Sequence, residues 1–79
     1  MEQLQLFEEK FLVWRLDRLE QDELMKALNH FQVRFNGREP GTILCREQQI
    51  NQLRDTLQFP AGVELKGRTM IQPDHIWLS

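Results

Sequence analysis

No glycine or proline precedes Gly37; all four glycines and all three prolines lie at or beyond it. Glycine costs about 1 kcal/mol and proline about 3 in a helix interior, so the opening stretch is free to form long helices. The later clustering predicts turns between short elements. Cysteine is nearly absent as well. The single Cys45 excludes an internal disulfide, and a chain of 79 residues buries only about 60% of the surface that its unfolded form exposes. Small domains without a disulfide commonly gain stability from a second subunit, and an unpaired thiol fits a reducing compartment. A cytoplasmic homo-oligomer is the expectation.

Charge of one sign is not in excess. Ten Lys and Arg stand against twelve Asp and Glu, for a formal charge of −2, whereas a dedicated nucleic-acid binder usually shows a basic surplus. Long apolar runs are missing too. Phe11-Leu12-Val13-Trp14 is far shorter than the roughly 18 residues that span a bilayer. Met1-Glu2-Gln3-Leu4-Gln5 is acidic and amphipathic, unlike a secretory signal. With 41% hydrophobic and 28% charged residues, the chain has the make-up of a folded globular protein, expected to form a single domain over residues 1–79.

The apolar positions Leu4, Phe7, Phe11 and Trp14, with Leu12, Leu16 and Leu19 on an adjoining stripe, step at helical intervals. Leu24, Leu28, Phe31 and Phe35 repeat that spacing in a shifted phase. Either a turn near Asp17 to Asp22 makes a helix pair, with Asp22 as a cap, or one long helix rotates its stripe. Residues 31–35 also alternate as a strand would, able to pair with Thr42-Ile43-Leu44 across the Asn36-Gly37 and Pro40-Gly41 turns. Residues 46–57 read as a central helix with Ile50, Leu53 and Leu57 on one face, closed by Pro60 and Gly62. Val63 to Lys66 and Thr69 to Gln72, joined by Gly67-Arg68, predict a type II′ hairpin that sets Leu65 opposite Met70. His75 to Leu78 forms a further short strand. The fold class is therefore α+β: an N-terminal helical half, the 46–57 helix, and a small antiparallel sheet with a C-terminal hairpin.

Catalytic apparatus is not evident. Glu8, Glu9, Asp17, Glu20, Asp22 and Glu23 intersperse with bases as solvated helix faces, and no carboxylate pair is set apart for acid–base work. Gly37 and Gly41 are followed by no Gly-Lys-Ser/Thr phosphate loop. His30, His75 and Cys45 match no short zinc spacing, so neither metal nor cofactor is expected. Cys45 precedes Arg46-Glu47-Gln48 at a helix start, where a lowered thiol pKa would make a redox protein; the plainer reading is a small buried hydrophobe.

Three functions remain. The preferred one is a noncatalytic protein-binding or regulatory module that self-associates, because the two apolar stripes of residues 4–19 exceed what one helix buries against one neighbour. Leu12, Trp14, Leu16 and Leu19 are its partner-binding residues. The second is a nucleic-acid-binding regulator using Arg46 and Arg54 on the 46–57 helix with Lys66 and Arg68 on the 63–72 hairpin. The third is the thiol-dependent protein centred on Cys45.

Overall fold

Residues 12–15 alternate between half-buried and exposed positions, the period of a strand with one face against a core. The computed structural model describes residues 11–79, and within them the order is β1 (Leu12–Arg15), α1 (Gln21–Arg34), β2 (Thr42–Arg46), a 3-10 turn (Glu47–Gln49), α2 (Ile50–Thr56), β3 (Glu64–Arg68) and β4 (His75–Leu78). The expected helical stripe through Leu4 and Phe7 lies outside the described residues. Its continuation is corrected: Leu12, Trp14 and Leu16 satisfy a two-residue repeat as well as a helical one, and Val13 and Trp14 favour the pleated form. Neither a helix pair nor one long helix forms here, because the chain is a strand before Asp17 and a helix only from Gln21.

Helix α1 buries Leu24, Ala27, Leu28 and Phe31, one face at 3.6 residues per turn. Asp22 and Glu23 sit in its first turn, where carboxylates oppose the helix dipole favourably, and Glu20 rather than Asp22 takes the N-cap position. Asn36 and Gly37 both adopt positive φ, and the Gly37 N–H donates to the Gln32 carbonyl at 2.6 Å, which ends the helix. Residues 31–34 are therefore helical. The alternation through Val33 was coincidental, since Val33 is 76% exposed on the solvent side.

Four strands make one mixed sheet in the order β1-β4-β2-β3. Strand β4 is antiparallel to both β1 and β2, while β2 and β3 are parallel, so β1, β2 and β3 all run the same way. Parallel pairing needs a crossover, which residues 47–63 supply. Two expectations are corrected by this topology. The sheet is mixed rather than antiparallel, and no hairpin turns at Gly67-Arg68, because both residues lie inside β3. Gly67 serves another need: a Cβ there would sit 2.9 Å from Glu47 Cα, where the 3-10 turn crosses the strand. The 46–57 helix is likewise shorter than expected, with Arg46 belonging to β2 and α-helix only from Ile50.

Both helices cover the same face of the sheet. Leu24, Ala27, Leu28 and Phe31 of α1 and Leu53 of α2, with Leu57 just beyond it, join Ile43, Cys45, Ile76 and Leu78 of the strands in one core. Two glutamines clasp the periphery. The Gln21 side-chain amide donates to the Gln58 carbonyl and accepts from the Gln58 N–H, both at 2.8 Å. The Gln49 amide bonds Asp74 in the same twofold manner.

Candidate functional site

Among the described residues neither α1 nor α2 covers the other face of the sheet, and the pairing register shows what stands on it. Core-side positions are Leu12, Trp14, Ile43, Cys45, Leu65, Gly67, Ile76 and Leu78, so the intervening residues project outward. Val13, Trp77, Leu44 and Lys66 are successive partners across the strands β1, β4, β2 and β3. Val13 is 54% exposed, and Trp77 lies with its ring centroid 5.6 Å from that of Phe11. Val13, Trp77, His75, Gln72 and the exposed Met70 line a depression of about 280 Å³.

Beside that apolar row runs a basic one. Arg15 pairs with His75 and Arg46 with Arg68, and Arg46 follows the Cys45–Ile76 pair toward His75, so Arg15, His75, Arg46 and Arg68 cross all four strands. Each of the three parallel strands ends on an arginine: Arg15, Arg46 and Arg68. Arg46 and Arg68 are direct neighbours in the ladder, an arrangement of like charges that weakens a sheet. Neither has a carboxylate partner within ion-pair distance among the described residues. They bond backbone oxygens instead, Arg46 Nη1 to Ile71 O at 2.9 Å and Arg68 Nη1 to Gly67 O at 2.8 Å. Arg15 reaches Asp17 at 3.6 Å and Lys66 reaches Glu64 at 3.6 Å, both well exposed, where such pairs contribute little.

Charge is thus segregated in a chain that is acidic as a whole. The outward strand positions hold four of the ten bases and one of the twelve acids, Glu64, leaving six bases against eleven acids elsewhere. Composition hides this asymmetry.

The residues named from sequence fall in different places. Leu16 is 3% exposed in the core, and Leu12, Trp14 and Leu19 are half-buried against it. They do not make one apolar stripe on the surface. The Trp14 indole packs against the His30 ring at 4.7 Å between centroids, tilted by 51°, and its buried Nε1–H has no acceptor among the described residues. Of the four bases, Arg46, Lys66 and Arg68 come together on the open face, whereas Arg54 stands on α2 in the helical layer. Cys45 is fully enclosed in β2 rather than capping a helix. Burial pushes its thiol pKa up, with the Arg54 charge a smaller opposing influence, the reverse of what the thiol-dependent alternative requires and in keeping with a small buried hydrophobe.

Among the described residues no cluster of His, Cys, Asp and Glu could hold a metal ion, and no helix is long and apolar enough to cross a membrane. A second depression, between α1 and the prolines at 40 and 60, is lined by Met25, Leu28 and Val63 together with the amides of Asn29 and Gln32 and the carboxylate of Glu39. Comparison with family models, with curated proteins and with solved structures finds no match to this chain. Arg15, His75 and Trp77 were missed in sequence because their alignment depends on strand register. The one linear signal was an arginine directly after Trp14, after Cys45 and after Gly67.

Proposed function

We propose that this protein is a small noncatalytic binding module that takes up its partner on the open face of the sheet. One observation carries the reading: an apolar row of Val13, Trp77 and Leu44 lies next to a row of bases on a face that, among the described residues, neither α1 nor α2 covers. Aromatic residues and arginines surrounded by wetter groups are the usual make-up of a binding surface. The enclosed thiol of Cys45 speaks against the thiol-dependent alternative.

Leu12, Trp14, Leu16 and Leu19 are a poor choice for the docking surface, since Leu16 is buried in the core and the other three are half-buried against it. A second copy docking face to face is also poorly matched, because its own outward strand positions answer four bases with one carboxylate, Glu64. Self-association through another surface remains compatible with this reading.

A photo-activatable residue introduced at Val13, compared with one at Val33 on the outer side of α1, tests the assignment in cells. Adducts that form at position 13 and are sparse at position 33 support the open face. Equal yields at both, or more at 33, overturn it.

A further inference from the structure

We infer that the partner on the open face is a single-stranded nucleic acid, an assignment that rests on the binding role proposed above. Three observations converge on it. The first is the geometry of the two rows. A polymer charged along one edge and aromatic along the other would place phosphates on Arg15, Arg46 and Arg68 and bases on Trp77 and Phe11, which already lie together at 5.6 Å. Arginine is suited to phosphate because its planar fork donates two parallel hydrogen bonds. Base stacking on aromatic rings needs no sequence match.

The second is the Arg46–Arg68 neighbour pair, which has no carboxylate within ion-pair distance among the described residues. Like charges facing each other across a ladder destabilise the fold, and an anion bridging both would reverse that cost. Each guanidinium donates one hydrogen bond to a backbone oxygen, at 2.9 and 2.8 Å, and has further N–H groups to offer. The third is scale. Four strands at ~4.8 Å spacing give a row about 14 Å across, room for about two or three bases, as open four-stranded sheets stack. A duplex suits this face less well, since its bases are already stacked on each other.

The overall charge of −2 does not oppose this. Screening over about 8 to 10 Å at physiological ionic strength means that a strand lying on the sheet senses the local bases more than the distant acids. Weak long-range steering, with affinity in contacts, is the result.

The test uses the full chain with dye-labelled oligouridylate and oligodeoxythymidylate of about 12 nucleotides, in fluorescence anisotropy across a salt series. Saturable binding is expected, with log affinity falling against log salt at a slope of about −2 to −3, from ~0.7 per phosphate contact. Reversing charge with Lys66→Glu and Arg68→Glu on the edge strand should weaken binding about tenfold or more, and so should Trp77→Leu. Arg54→Gln should leave it unchanged. Thermal melts identify any variant that fails to fold; in that event Trp14→Phe protein, whose remaining indole is Trp77, should still show quenching by the oligonucleotide. No saturable binding, no quenching, or an equal loss from Arg54→Gln overturns the assignment. If oligonucleotides do not bind while the position 13 adducts persist as polypeptide after nuclease treatment, the nucleic acid is wrong and the docking face stands. If position 13 forms no adducts either, both fall.

Discussion

Gln49 and Asp74 grip each other through two hydrogen bonds: the Gln49 amide donates to Asp74 Oδ1 at 2.9 Å, and the Asp74 N–H donates to Gln49 Oε1 at 2.7 Å. Asp74 holds positive φ, and its carbonyl accepts from the Leu16 N–H at 2.7 Å. One residue therefore ties the 3-10 turn, the end of β1 and the entry to β4. Gln49→Ala should cost about 1 to 2 kcal/mol, because it removes both bonds at once. In urea titration the double variant with Asp74→Ala should lose less than the two single losses added; simple additivity would show that the clasp contributes nothing as a unit.

Gly67→Ala should destabilise by about 1 to 3 kcal/mol, the range for overpacking a filled space. The new methyl would meet the backbone of Glu47 at 2.9 Å, not a side chain that can swing aside. Gly41→Ala, with open space around it, is the control. Similar denaturation midpoints for the two variants would sink the account of Gly67 as a crossing point.

Leu16→Asp should unfold the domain, since it sets a charge at a position that is 3% exposed. Val13→Asp on the open face should remain folded. Circular dichroism separates the two outcomes, and a folded Leu16→Asp protein would contradict the placement of Leu16 in the core.

Cys45 should resist thiol reagents until the protein is denatured, because no part of it is exposed. Its pKa is raised in the folded state by burial. The unfolded chain then loses the thiol proton at lower pH than the native one, so this residue's contribution is complete below about pH 9.0 and declines as pH rises through the higher folded value. A Cys45→Ala protein should lack that decline; an identical alkaline stability profile in both would refute it.

How much of this was legible in sequence depended on whether one period was satisfied or two. Leu24, Leu28 and Phe31 allowed a helix with little competition, and residues 50–56 and 75–78 were likewise found as helix and strand. Leu12, Trp14 and Leu16 fit both repeats, and only their neighbours in space decide for the strand. Gly67-Arg68 carried a turn's chemistry without its role, because the crowding by Glu47 is a tertiary fact. The same limit applies to the candidate site. Arg46, Lys66 and Arg68 were singled out on a helix and a hairpin, yet they meet on a parallel strand pair, and their alignment with Arg15 requires knowing that β4 lies between β1 and β2.

That interposition governs how the molecule must assemble. The strand emerging last from the ribosome among those described is the one that bridges β1 to β2, so a nascent chain stopped at Pro73 has made every arginine of the basic row and still lacks the means to align them. Amides of β4 should accordingly be among the slowest to exchange with solvent, and whatever recognises the finished face would ignore the incomplete polypeptide.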